Sequence, residues 1–384
     1  MRLCNCDIYQ LKKISEKERL ICFGAGKEFF DFFEDFESLY LERNVYAIVD
    51  NNVQKIGTNI DIKGISIPVI GIESLLHIRN IVLLISCADI EGIVKQLEDY
   101  EELKQVRCMA VHFVRSETNK TYERKYNCPN CFRITDTPRI PKKIHYCWFG
   151  RKEIPEANRV WMKSWKKYCP DYEIIRWDES NYNISKNRYM YEAYQNNKWG
   201  FVSDYARLDI IYHYGGIYLD TDVEIIKSWE ELRYQEAFMG METNFRINLG
   251  LGFGSVPNYR LWHEVLKLYD DFSFEKEDGT WNQLPCPQLQ NEVYRRNGFI
   301  NNGKYQRLGT AIIYPPAVLS PKDLYTGEVS LTTHTYSIHH YDGSWIDDKQ
   351  KKKDDERKKL YVQFKNISGE DMNGKFDRDC YFKF

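Results

Sequence analysis

Two aspartates one residue apart, Asp220 and Asp222, lie in the run Gly215-Gly216-Ile217-Tyr218-Leu219-Asp220-Thr221-Asp222-Val223-Glu224. On an extended strand, successive side chains alternate faces, so Tyr218, Asp220, Asp222 and Glu224 share one side and Ile217, Leu219 and Val223 the other. The apolar side can pack on a core. The acidic side gathers negative charge that repels itself until something positive binds. Mg²⁺ or Mn²⁺ meets that need, because these ions take one or two carboxylates together with diphosphate oxygens. The competing reading is an exposed strand with its acids in water, since Asp-x-Asp alone is common.

Further residues with suitable chemistry flank this run. Asp204 and Arg207 fall one turn apart on a predicted helix, FVSDYARLDIIYHY, whose other face holds Phe201, Tyr205 and Leu208. They read either as an intrahelical ion pair or as a pocket pair, the carboxylate accepting sugar hydroxyls and the guanidinium offering a donor fork. Gly215 and Gly216 end that helix and let the next strand turn back beside it, which brings the two acidic faces together. Trp148 ends the predicted strand KKIHYC, at the carboxyl end where α/β ligands bind, so its indole is a candidate platform for a base as well as a candidate core residue. Near the C-terminus IHHYDGSW offers His339, His340, Ser344 and Trp345 as ligand or hydrogen-bonding groups, against a reading as buried histidine and aromatic turn.

These residues need a scaffold, and the pattern supplies two α/β units. In residues 1–116, the strands ERLICF, VYAIVD, IVLLISC and VRCMAVHF alternate with helices, which predicts a parallel, doubly wound, Rossmann-like domain. Its Gly24-Ala25-Gly26 turn and Asp50 form part of a dinucleotide fingerprint, but Phe29 occupies the third glycine position. A turn kept for folding is the favoured reading there. Residues 117–137 are polar and read as a linker, and residues 138–384 as the second domain. Cys128 and Cys131 form a lone CxxC, read as reduced thiols because no second pair has zinc-like spacing. The mixed-charge run 347–360 predicts a solvated helix face, with membrane-surface contact as the alternative.

Composition narrows the class. The chain has 384 residues, 43% hydrophobic and 29% charged, which excludes collagen, a coiled-coil rod and wholesale disorder. A net charge of -2 gives no global basic field for nucleic acid. No apolar run reaches membrane-spanning length and the opening residues lack a signal-peptide core, so the expected location is cytoplasmic. Eleven scattered cysteines agree with a reducing compartment.

Taken in order, IPKKIHYCWFG, SWKKYCPDYEIIRWD, WGFVSDYARLDIIYHYGGIYLDTDVE, INLGLGFG and YSIHHYDGSW resemble the family 32 glycosyltransferases, the group with the DxD sugar-binding region. The second domain is most similar to bacterial members that build capsule and surface polysaccharides, and more distantly to glucosyltransferase domains of clostridial toxins. The resemblance implies a GT-A type nucleotide-diphospho-sugar transferase domain and a hexosyltransferase using Mn²⁺ or Mg²⁺. It also implies a nucleotide-sugar donor, UDP-linked by the toxin likeness, and an oligosaccharide acceptor, lipid-linked at the inner face of the cell membrane. On that basis Trp148 stacks on the donor base, and Asp204 and Arg207 hold the donor sugar or ribose. Asp220 contacts sugar and ribose and reaches the metal through water, while Asp222 ligates it directly. His340 is the expected late ligand, Ser344 and Trp345 brace the leaving diphosphate, and Asn248 supplies an amide near the anomeric carbon. Retention of anomeric configuration is expected, by front-face attack. Rival readings are a metal-dependent phosphohydrolase or nucleotidyltransferase, which needs no sugar acceptor, and a non-catalytic carbohydrate-binding protein.

Overall fold

The computed structural model describes residues 1–122, 128–343 and 348–367 and divides the chain into two compact units. The first opens with β1 (Arg2–Asn5), β2 (Arg19–Phe23), β3 (Val45–Val49), β4 (Asn59–Ile62), β5 (Ile65–Ile70), β6 (Ile81–Ile85) and β7 (Arg107–Ala110). Apart from the antiparallel β4–β5 pair, these neighbours run parallel, as strand–helix alternation demands. β6 is buried along its whole length, as expected for a central strand of a parallel sheet. The expected fourth strand VRCMAVHF is shorter than predicted. It stops at Ala110, and helix Val111–Tyr122 starts at once, carrying the first unit past residue 116 into the predicted linker.

Gly24 adopts φ +110°, and a Cβ there would stand 2.9 Å from Cys87 Cβ and 3.2 Å from the Ser86 carbonyl. The glycine therefore serves close approach of two strand ends. Asp50, the candidate ribose acid, is occupied by the protein itself. It accepts from the N–H groups of Ala25 (2.9 Å) and Asn52 (2.8 Å) and from Lys55 Nζ (3.1 Å). Phe29 packs in the core against Phe33 where a fingerprint glycine would bring the helix onto a pyrophosphate.

The second unit contributes β8 (Lys143–Cys147), β9 (Glu173–Trp177), β10 (Gly216–Tyr218), β11 (Val223–Ile225), β12 (Ala237–Gly240), β13 (Phe253–Ser255), β14 (Gln306–Leu308), β15 (Ala311–Tyr314) and β16 (Ser337–His339). Seven form a mixed sheet in the order β14-β15-β12-β13-β10-β8-β9, and β11 pairs antiparallel with β16 as a separate ribbon. Ile144, Ile217, Leu219, Val223, Trp165, Trp229 and Phe238 share one core beneath them.

GGIYLDTDVEII is thus not one strand. The chain leaves the large sheet after Tyr218, turns with a Val223 N–H to Asp220 C=O bond of 3.1 Å, and joins the ribbon at Val223. Leu219 and Val223 are both fully buried on either side of the turn, so the core holds it from both ends.

Helix Asp348–Tyr361 and the strand after it run back into the first unit. Helix Asp348–Tyr361 presents Lys351, Lys352 and Lys353 to solvent and buries Leu360, and Phe364 packs 4.9 Å from Phe113. Then β17 (Lys365–Asn366) pairs parallel with β1 and completes the order β17-β1-β7-β6-β2-β3-β5-β4. The second unit accordingly ends at Lys351, which differs from the expected span 138–384. Burial of Leu360 and Phe364 in the first core is the physical reason.

Candidate active site

Helix Trp199–Tyr214 is buried along most of its length, and Asp204 and Arg207 lie within it at 6% and 5% exposure. Charges are rarely buried so deeply unless paired. Arg207 forms an ion pair with Asp204 and sends Nη1 to Asp220 Oδ2 at 3.4 Å, while its Nε donates to the Ser203 carbonyl at 3.2 Å. Burial pushes the Asp204 carboxyl up, against the pull of Arg207. Burial also works against the Arg207 charge, but Asp220 and Asp204 outweigh it and keep the guanidinium protonated. Cys286, a buried thiol at the start of helix Cys286–Arg296, lies near enough to Asp204 to favour its charged form.

Asp220 is held at both oxygens. Tyr218 Oη donates to Oδ1 at 2.9 Å, and Arg207 takes Oδ2. Its side chain keeps 30% exposure, so the carboxylate edge is open to a ligand. The expected proximity of the Asp204–Arg207 face to Asp220 is therefore present, through the turn after Tyr218.

Asp222 lies deeper. Its Oδ1 is 3.1 Å from His339 Nε2, and its Oδ2 accepts the Asp342 N–H at 2.9 Å. Burial alone would raise the Asp222 carboxyl, but His339 beside it lowers it to about 2. Conversely, burial disfavours the His339 charge, yet Asp222 raises the imidazole above its ordinary value. Ligand atoms of Asp220, Asp222 and His339 all fall within 4.8 Å of one another. His339 Nδ1 is buried with no hydrogen-bond partner among the described residues. Two carboxylate oxygens and one imidazole nitrogen so close together could hold a divalent cation.

The expected ligand His340 is not in this cluster. Strand register decides between the neighbours: β16 pairs with β11 so that His339 stands opposite Val223, next to Asp222. His340 points elsewhere. Its ring stacks on Trp161 at 4.2 Å and 7°, and its Nε2 lies 2.9 Å from Glu224 Oε2. Glu224, expected beside the aspartates, thus belongs to this second group.

Trp148 follows β8 and is half-buried, with its indole N–H donating to the Lys152 carbonyl at 2.6 Å. It is neither a core tryptophan nor part of the Asp220–Asp222 hydrogen-bond network. Ser344 and Trp345 lie outside the described residues. Asn248 joins the network from another direction. Its Oδ1 accepts the Gly250 N–H at 2.7 Å, and the Gly250 carbonyl accepts from Asp220 N at 3.3 Å. Its Nδ2 donates to Glu242 Oε1 at 2.6 Å.

Sequence reasoning missed Glu242, Gly250 and Cys286. Gly250 was within sight, two residues after Asn248 in INLGLGFG. Glu242 and Cys286 carry no local signal, because their burial is set by distant chain.

Residues 155–239 match the family described as glycosyltransferase sugar-binding region containing DXD motif. The chain is similar to inositol phosphoceramide mannosyltransferase 2 of Schizosaccharomyces pombe, 29% identical over 35% of this chain and 39% of the relative. It is also similar to mannosyl phosphorylinositol ceramide synthase SUR1 of Saccharomyces cerevisiae, 30% identical over 35% of this chain and 37% of that protein. It spans about two fifths of the length of these curated relatives. The solved PaToxG glycosyltransferase aligns with 47% of this chain and 77% of its own, at 17% identity and a TM-score of 0.35. Asp204, Arg207, Asp220 and Asp222 all lie within the residues that match the glycosyltransferase sugar-binding region containing DXD motif.

Proposed function

We propose that this chain is a hexosyltransferase that moves a sugar from a nucleoside-diphosphate donor to a glycan or glycolipid hydroxyl. The observation that carries the reading is the meeting of Arg207, Asp220, Asp222 and His339 inside and beside a DXD sugar-binding region. Asp220, Asp222 and His339 would hold the cation, Mn²⁺ or Mg²⁺, with Asp222 the most firmly fixed. A divalent cation bound there supplies Lewis-acid stabilisation of the charge that develops on the diphosphate.

The chain's own residues do the rest. Arg207 is kept charged by two carboxylates and fixes Asp220, so the donor meets a preorganised edge. Tyr218 holds the other Asp220 oxygen and leaves the carboxylate little freedom to rotate. Asp204 and Arg207 are suited to donor hydroxyls, and Trp148, half-exposed at the end of β8, to the donor base. Ser344 and Trp345 complete the proposed diphosphate contacts. In the transfer, the bond from the anomeric carbon to the diphosphate oxygen breaks and a bond to the acceptor oxygen forms. The acceptor's proton passes to the departing phosphate. Retention by front-face attack is part of this proposal.

The named activity of the fungal relatives brings mannose into the range of donors beside UDP-linked glucose, galactose and N-acetylglucosamine. It also puts phosphoinositol-bearing lipids beside lipid-linked oligosaccharides of capsule or surface polysaccharide as acceptors. The proposed place of action is the cytoplasmic membrane face, reached peripherally. No helix among the described residues is long and apolar enough to cross a membrane, and exposed lysines line helix Asp348–Tyr361.

The test is a panel of UDP- and GDP-sugars, scored by thermal shift, hydrolysis and transfer with Mn²⁺ and with chelator. One sugar nucleotide should stabilise the protein and turn over only with the cation. A protein that binds none of them refutes the proposal. Rapid turnover indifferent to any sugar acceptor would point to a hydrolase instead.

A further inference from the structure

A tight hairpin follows β12. Met241 and Ile247 bridge across it, Glu242 N donates to the Arg246 carbonyl at 2.9 Å, and Phe245 turns the chain with φ +64°. This geometry sets Glu242 and Asn248 side by side at its open end. Glu242 is 6% exposed, whereas Asn248 is half-exposed. A carboxylate so deep must be compensated by hydrogen bonds. It accepts from Asn248 Nδ2 at 2.6 Å and from Asn244 Nδ2 at 3.2 Å.

The consequence concerns the Asn248 amide. A free asparagine presents its oxygen or nitrogen in either direction with little preference. Here one end meets a carboxylate, which accepts, and the other meets the Gly250 N–H, which can only donate. Only one orientation satisfies both. It leaves one N–H of Nδ2 and one lone pair of Oδ1 uncommitted, on the residue of the pair that solvent reaches. The same Gly250 passes its carbonyl to Asp220 N, so the amide is tied to the acidic turn as well.

We infer that Glu242 is a positioning residue, which fixes the polarity of the Asn248 amide so that one N–H remains aimed at the transferring sugar. The inference rests on the proposed transferase reading and extends it to a residue outside the Asp-x-Asp turn. Glu242 touches no substrate itself. An ionised Glu242 can only accept from Asn248, whereas a neutral amide in its place could donate as well as accept, and would let Asn248 turn over.

The test is a double-mutant cycle on the full chain, read by melting temperature and by steady-state kinetics with the best sugar nucleotide. Glu242→Gln should lower kcat roughly ten- to a hundredfold with the donor KM changed less than about threefold, the range seen when a group that orients a ligating side chain is lost. Asn248→Asp sets two carboxylates against each other and should lower the melting temperature. Combining it with Glu242→Gln rebuilds the pair in reverse: the new amide donates to the new carboxylate, which still accepts from Gly250. The double variant should regain the melting temperature but not kcat, because no N–H is left to face the sugar. Recovery of both would mean the pair only packs, and overturns the inference. So would a lack of coupling in melting temperature, or a Glu242→Gln enzyme as fast as wild type. A wild-type protein that turns over no sugar nucleotide is a separate outcome, which sinks the transferase reading and takes this one with it.

Discussion

Gly250 offers a sharp test of the site's geometry. Its backbone gives and receives hydrogen bonds that link Asn248 to Asp220, and side-chain ends crowd the space a Cβ would take. A Cβ at this position would overlap Asp220 Oδ2 and reach Arg207 Nη1 at 3.0 Å and Asn248 Oδ1 at 3.1 Å. The atoms in the way are the ends of side chains rather than backbone, so Gly250→Ala can relieve itself without disturbing the sheet. Restoring ordinary contact requires the Asp220 carboxylate to retreat by about 1 Å. That movement stretches the Tyr218 and Arg207 contacts and shifts the edge that meets the donor. Misplacement on this scale costs on the order of 10²-fold in rate. The stability loss should be modest, about 1–3 kcal/mol as for other overpacked positions. Sugar transfer under saturating donor, together with thermal denaturation, separates the two effects. A Gly250→Ala protein that keeps transfer within about twofold of wild type, with its fold intact, would refute the reasoning that the Asp220 position is fixed by close approach.

Three other perturbations follow from the same contacts. Asp222→Asn should depress transfer by about a hundredfold or more while the protein still folds, because the amide retains an acceptor for the Asp342 N–H but loses the charge beside His339; near-normal turnover would remove Asp222 from the metal site. His339→Ala should weaken Mn²⁺ binding, measured by calorimetry, about tenfold or more, whereas His340→Ala should leave it close to wild type, and the reverse order would contradict the strand register. His145 should make the second unit acid-sensitive. Burial lowers its imidazole from 6.5 to about 4, and its ring nitrogens are 3.0 Å from the Gly215 carbonyl and 3.0 Å from Trp177 Nε1. As pH falls below 6.5 the unfolded chain takes up a proton that the folded chain refuses until about 4. Stability that is complete above 6.5 is therefore lost progressively down to about 4, on the order of 3 kcal/mol in all. A His145→Gln variant should show a flatter stability profile over that window in denaturant titrations, and an unchanged slope would count against the assignment.

Much of the site was legible because its parts are local. Asp204 and Arg207 fall on one helix face by spacing, and Gly215-Gly216 announces the turn that brings them to Asp220. The strand–helix alternation of both units could be read from apolar runs such as IVLLISC. What could not be read depends on partners far along the chain. Alternation suggested one strand through Asp220 and Asp222, yet Leu219 and Val223 are claimed by the core on either side of a turn, which no local period encodes. Choosing between His339 and His340 requires the register of β16 on β11, set more than a hundred residues away. Glu242 looks like a surface acid in MGMETNF until the hairpin buries it. The return of the chain to its first sheet rests on β17, two residues that have no periodicity to detect.

That return has a bearing on biosynthesis. The first unit is assembled from two separate stretches of the chain, with Glu123–Lys351 spliced between them as an insertion. During vectorial synthesis on the ribosome, β1 is made more than 300 residues before the outer neighbour it pairs with. In the interval its outer backbone groups stand uncovered, an adhesive edge of the kind that invites wrong partners. The inserted unit can fold meanwhile, before helix Asp348–Tyr361 and β17 are made. Truncation before Leu360 would leave that edge uncovered and turn a well-folded product into an aggregating one, even though every proposed catalytic group described above remained in place.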